Sequence, residues 1–356
     1  MQKAEMPVLK EKKEEKSSRI DWVDALKFIG IFFIYIAHFV ESSGKICLYA
    51  YAFHVPLFFF IAGFFALKYK EISYWKYILN KAKTLLLPYF VFGLLTAGVL
   101  TLQANYVPVP IKDIFLDLLM GMRNQMFVSP LWFFPCLFLV EILFEGMLKI
   151  LKNKYFVLTA CVILFFTAEA FFYQDYVVLP RFWFSADTAL NYLLYYAIGA
   201  VSFERLSKFS FSEEKLLKKF LCVGAFWLTT LLAFILFFEK HAAIRNIFLL
   251  FPFGKSFYEV FVALGLIFFH IVIAKQITKF PLICTIGKNT LWLCGNEVIL
   301  KTVVPAALST FGLYYSLNSP LHTVIYCFAL LILAEKIVIP VEKKLLGNLF
   351  SSIKRR

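Results

Sequence analysis

Lys27 and His38 stand eleven positions apart in the run DALKFIGIFFIYIAHF, residues 24–39, and almost everything between them is apolar. Eleven helical steps of about 100° return to nearly the same azimuth after a rise of about 16 Å. A helix here therefore carries both groups on one face, Lys27 low and His38 high. Asp24 stands three residues before Lys27 and can pair with it, while Glu41 and Ser42 continue the stripe above His38. A histidine can take a proton from a hydroxyl and return it to a leaving group, and a carboxylate can orient it. Plainer readings exist: Lys27 snorkels to an interface, and His38 is a satisfied packing residue. The azimuth shared with Asp24 and Glu41 weighs against both.

Other polar residues fall at a similar depth. His54 opens the apolar run HVPLFFFIAGFF just ahead of Pro56, at about the level of His38. Glu169 lies near the end of a later run, Arg181 and Asp187 flank the next, and LCGNEVILK places Asn296, Glu297 and Lys301 in the outer half of another. Glu141, after PLWFF, sits nearer the midplane. Taken singly, each suits a structural hydrogen bond or ion pair. Their common drift toward the outer half suggests a polar cavity open outward, because ionisable groups inside a span are costly without a site to serve. The chain has no G-x-S-x-G, Walker A or H-E-x-x-H segment, and its seven cysteines show no metal-binding spacing. These residues fit metal-free acyl transfer from a thioester to an alcohol. They fit a proton-coupled transporter equally well.

The elements that must position these groups are membrane helices. The chain of 356 residues is 61% hydrophobic and 17% charged, against roughly 45–50% and 25% for soluble domains. Apolar runs of bilayer length fall at 22–40, 51–67, 85–103, 131–148, 155–173, 187–203, 220–238, 257–274, 284–303 and 321–340. The expected fold is thus an all-α bundle of about ten transmembrane helices. With the N-terminal tail in the cytoplasm, basic residues collect on that side loop after loop, as in Lys76, Lys81 and Lys83, then Lys149, Lys152 and Lys154. Both termini are then cytoplasmic. The chain divides into a tail over 1–20, a membrane domain over 21–341 and a basic tail over 342–356, and the first apolar run reads as a retained anchor rather than a cleaved signal. The net charge of +14 suits anionic lipid headgroups or a polyanionic cytosolic donor, with no nucleic-acid-binding module to suggest RNA or DNA.

Five segments, in order, resemble the membrane acyltransferase-3 family. RIDWVDALKFIGIFFIYIAHF is similar to its first helix, whose mark is a basic residue, ten residues, then histidine, here Lys27 and His38 with Asp24 at the acidic position. FHVPLFFFIAGFF matches the second-helix motif at His54 and Pro56. KAKTLLLPYFVFG resembles the start of helix 3, LWFFPCLFLVEIL the helix 4 segment at Trp132 and Phe133, and IGKNTLWLCGNEVI the late helix. The resemblance implies an O-acetyltransferase of the bacterial inner membrane, taking acetyl groups from cytosolic acetyl-CoA to sugar hydroxyls of surface or lipid-linked glycans, with no bound cofactor or metal. It implies His38 as the catalytic residue and Lys27 as contacting the donor or supporting the pore. Glu297 is the expected second catalytic group, and Asp24, His54, Trp132, Asn296 and Glu169 are expected to bind substrate or donor. Two positions depart from the pattern. Lys27 replaces a frequent arginine and loses its bidentate fork, and the late Y-x-x-H reads Cys294 and Glu297. A glycan or lipid transporter is the competing reading, although no internal repeat of the kind transporters carry is visible.

Overall fold

The computed structural model describes residues 19–69, 72–102, 110–172, 175–209, 251, 253–313, 316–347 and 349–350. Among them the ordered elements are helical and no strand occurs. The long helices are α1 (Asp21–Ala37), α2 (Lys45–Gly63), α3 (Tyr74–Thr101), α4 (Pro130–Leu151), α5 (Lys154–Phe171), α6 (Ala186–Lys208), α7 (Gly254–Ile277), α8 (Thr290–Thr310) and α9 (Pro320–Leu346). Seven of them, all but α1 and α6, are long and apolar enough to cross a bilayer. α1 has 17 residues, slightly under the usual span of about 20. Asp187 and Asn191 lower the apolar character of α6. The expected run at 220–238 lies outside the described residues.

Helix ends differ from the apolar runs in ways that bear on the site. α1 stops at Ala37 rather than continuing to residue 40, so His38 caps it with φ −81° and ψ 0°. The chain then turns through the short helix Val40–Ser43 and Gly44, whose φ of 54° is open to glycine at little cost. α2 accordingly starts at Lys45, earlier than its run suggests, and is interrupted at Ala52–Phe53 before His54 resumes it. α3 starts earlier still, where Ser73 accepts from the Lys76 amide at 3.4 Å, a side-chain cap. α3 and α9 each contain one π turn, Ala82–Leu86 and Ala334–Val338. The run expected over 284–303 is broken at Asn289, where a short helix Pro281–Lys288 hands over to α8.

α1 sits at the centre, against α2, α7, α8, α9 and the short helix Pro281–Lys288. Its face from Val23 to Ala37 is largely buried, and the acidic side chains of Asp21 and Asp24 in its first turn complement the helix dipole. α6 forms a second hub against α2, α4 and α5. Its seam with α2 is reciprocal: a Cβ on Gly63 would meet the Tyr196 carbonyl oxygen at 2.0 Å, and one on Gly199 would meet the Phe60 carbonyl oxygen at 2.0 Å. Only glycine lets the two backbones touch there, the close approach that packs helices where lipid offers no hydrophobic drive between them. Rings fill the remaining space, including Phe59 stacked on Tyr192 at 4.4 Å.

Candidate active site

The C-terminal end of α1 and the middle of α8 meet through one carboxylate. His38 Nδ1 lies 2.5 Å from Glu297 Oε1, and Lys301 Nζ lies 2.5 Å from the same oxygen. Glu297 and Lys301 are one helical turn apart on α8, the spacing that lets such side chains meet. The register between the helices is held by Tyr35, whose buried hydroxyl donates to the Leu293 carbonyl at 2.8 Å. Lys301 also donates to the Tyr35 carbonyl at 3.2 Å and stands over the Phe39 ring at 4.6 Å. The Glu297 side chain is 1% exposed and the His38 side chain 30%. A buried carboxylate is tolerable when paired in this way. A carboxylate flanked by an ammonium accepts and does not donate, so the His38 Nδ1 carries the proton. Nε2 then presents its lone pair, the arrangement a general base needs.

A cavity of about 380 Å³ opens on this pair, with His38, Glu297, His54, Tyr51, Arg123 and Trp132 in its walls. Its size lies within the range of small-molecule sites. His54 is buried, and its Nδ1 donates to the Ala50 carbonyl at 2.6 Å, which leaves Nε2 as an acceptor. The Arg123 guanidinium lies 4.4 Å from the Trp132 ring centroid, a cation–π stack that favours arginine over lysine. Its Nη1 donates to the Val177 carbonyl at 2.9 Å and to the Tyr192 hydroxyl at 3.1 Å.

Two loops build the wall that holds Arg123. The side chains of Arg123, Asn124 and Gln125 donate in succession to the carbonyls of Val177, Val178 and Pro180, at 2.9, 3.0 and 2.5 Å. Ser185 locks the pair, accepting from the Arg123 amide at 3.0 Å and donating to the Gly121 carbonyl at 3.2 Å. Phe184 and Ser185 both have positive φ, 57° and 55°, a conformation that costs non-glycine residues about 1–3 kcal/mol each and persists where surrounding contacts enforce it. Arg123 was not among the site residues expected from sequence. The signal present was an arginine in a turn-rich loop, GMRNQ, just ahead of PLW.

The other expected residues are spread more widely. His54 and Trp132 join His38 and Glu297 in the cavity wall. Lys27 pairs with Asp24 at 3.4 Å, about 16 Å down α1 from His38 by helical rise. Asn296 donates to Glu342 at 2.6 Å and to the Trp292 carbonyl at 3.1 Å, and is absent from the cavity wall that its neighbour Glu297 forms. Glu169 lines an adjoining cavity, accepting from Tyr176 at 2.7 Å and Ser256 at 2.5 Å. Burial, aided by the Glu169 charge, pushes the Tyr176 hydroxyl well above the usual tyrosine range and keeps it a donor. Glu141 pairs with Lys81 at 2.8 Å, at the edge of the π turn in α3. Among the described residues, no group of three or more His, Cys, Asp or Glu side chains is arranged to hold a metal ion.

Chemically, the cavity offers an oriented imidazole and a fixed guanidinium. One can take a proton from a hydroxyl, and the other can stabilise negative charge developing nearby. A protein-family model described as an acyltransferase domain matches residues 20–334. No curated protein and no solved structure matches the chain.

Proposed function

The chain belongs to the acyltransferase-3 family, and we propose that this membrane acyltransferase is an O-acetyltransferase moving acetyl groups from cytosolic acetyl-CoA to a sugar hydroxyl of a cell-surface polysaccharide such as O-antigen or capsule. The observation that carries this reading is the His38–Glu297 contact opening into the cavity. His38 Nε2 removes the proton from the acceptor hydroxyl as its oxygen attacks the thioester carbonyl. The Arg123 guanidinium lies in the same cavity wall and is placed to stabilise the oxyanion that forms. As the tetrahedral species collapses, the C–S bond breaks and His38 returns its proton to the leaving thiolate. Glu297 stays ionised throughout and stabilises the imidazolium, the orienting role open at the position where the family often carries a histidine.

On this reading the chain forms about ten spans in a bacterial inner membrane, and the basic residues between spans support an orientation with both termini cytoplasmic. Lys27 and Asp24 then lie toward the donor side, and His38 toward the acceptor. Lys27 supplies charge to the anionic donor without the fork of an arginine.

The test is NMR of surface polysaccharide from cells carrying the intact gene, lacking it, or carrying His38→Ala with the protein present in the membrane at normal level. Loss of O-acetyl signals in both altered strains is expected. Unchanged acetylation in the His38→Ala strain overturns the catalytic assignment. Unchanged acetylation with altered glycan amount or location in the deleted strain favours transport instead.

A further inference from the structure

The cavity adjoining the His38 site has a volume of about 380 Å³, equal to the first. Tyr51, Arg123 and Val178 belong to the walls of both, so Arg123 stands in the wall that the two share. The walls differ in kind. The first draws its reactive groups from α1 and α8, whereas the second is lined from α5, α6 and α7 by Glu169, Asn191, Tyr192, Tyr195 and Ser256.

We propose that this second cavity is the subsite for an uncharged sugar unit next to the one that is acylated, so that the protein recognises at least two linked units of its glycan. The inference rests on the O-acyltransferase reading above. Three observations carry it. First, aromatic rings and planar polar groups share the lining: Tyr192 and Tyr195 beside Glu169 and Asn191. A pyranose ring presents the matching surfaces, C–H faces and a rim of hydroxyls. Second, Glu169 is fixed before any ligand arrives. Tyr176 bonds one of its oxygens and Ser256 the other, and each oxygen keeps a further lone pair for a hydroxyl. Third, the charge balance weighs against anionic ligands. Glu169, Asp175 and Glu259 outnumber Arg123 and Lys255 in the lining, which disfavours a uronate or a phosphate, and the carboxylates disfavour an acyl chain.

The experiment uses the full-length protein in proteoliposomes with acetyl-CoA and acceptors of one, two and three sugar units cut from the host's own surface polysaccharide. The unaltered protein is expected to show a KM falling about tenfold from one unit to two. Glu169→Gln and Asn191→Ala are each expected to lose that gain while leaving kcat, and kcat/KM on the one-unit acceptor, unchanged. Asn191→Ala removes a polar group of the same lining, so it remains informative if Glu169→Gln folds poorly. A length preference that survives in Asn191→Ala and in folded Glu169→Gln overturns the subsite, and so does an equal loss on all acceptors. Failure of the unaltered protein to transfer acetyl to any acceptor overturns the underlying reading and the subsite with it, a pattern distinct from the others.

Discussion

Glu297→Gln isolates the carboxylate's charge from its shape. The amide fills the same buried space beside His38 and Lys301, yet it no longer stabilises the imidazolium that the proposed mechanism forms on His38. The 2.5 Å contact between Nδ1 and Oε1 puts the two charge centres about 4 Å apart, where an effective dielectric of about 20 gives about 4 kcal/mol. At about 1.4 kcal/mol per factor of ten, kcat falls about a thousandfold. Lys301 supplies a second reading of the same electrostatics. Its ammonium and His38 Nδ1 touch the same oxygen, so the two are within about 5 Å and their repulsion is about 3 kcal/mol once His38 is charged. In the unaltered protein Glu297 offsets it; in Glu297→Gln nothing does. Glu297→Gln combined with Lys301→Met is therefore expected to be at least tenfold faster than Glu297→Gln alone. Acetyl transfer is measured per unit of folded protein in proteoliposomes. A Glu297→Gln rate within tenfold of the unaltered protein, or a double variant slower than the single one, refutes the reasoning.

Arg123→Lys removes the stack on Trp132 and the Nη1 that bonds both Val177 and Tyr192; a fall in kcat of at least tenfold with normal protein level is expected from the same transfer assay. Ser185→Ala leaves the Arg123 amide without its partner, an expected loss of about 1–3 kcal/mol read as a lower thermal midpoint in detergent. Gly199→Ala forces the α2–α6 seam apart, since its Cβ would meet a carbonyl oxygen at 2.0 Å; a destabilisation of about 1–3 kcal/mol, or loss of the protein from the membrane, is expected by thermal unfolding and immunoblotting. Asn296→Leu breaks the bond to Glu342 and is expected to lower the midpoint while leaving kcat within twofold, because Asn296 does not border the cavity.

The polar stripe of α1 was legible because a spacing of eleven residues fixes azimuth whatever the helix touches. Asn296 and Glu297 show the limit of that logic. One residue is about 100° of rotation, so depth alone could not say which of the two faces His38; the answer depends on how α8 packs against α1. The end of α1 at Ala37 was hidden for a related reason, since the apolar run continues past the turn and only Gly44 marks the reversal. Arg123 was missed because its position depends on main-chain carbonyls of a distant loop, and carbonyls leave no trace in the order of side chains. Glu169 was legible as a carboxylate near the outer end of its run, but its pairing with Ser256 across 87 positions was not.

The two loops beside Arg123 are joined by side chains on one strand of the pair and by backbone oxygens on the other. Nothing in those bonds depends on which side chains residues 177, 178 and 180 carry. Identity is therefore least constrained at exposed Val178, since Val177 packs against the core and Pro180 is buried, whereas losing or gaining a residue would shift the bonds together. Val178 borders both cavities, so exchanging it repaints their walls without dismantling them. On the O-acetyltransferase reading proposed above, the fold thus contains an exposed loop position at which a glycan preference can change by a single substitution without touching His38 or Glu297.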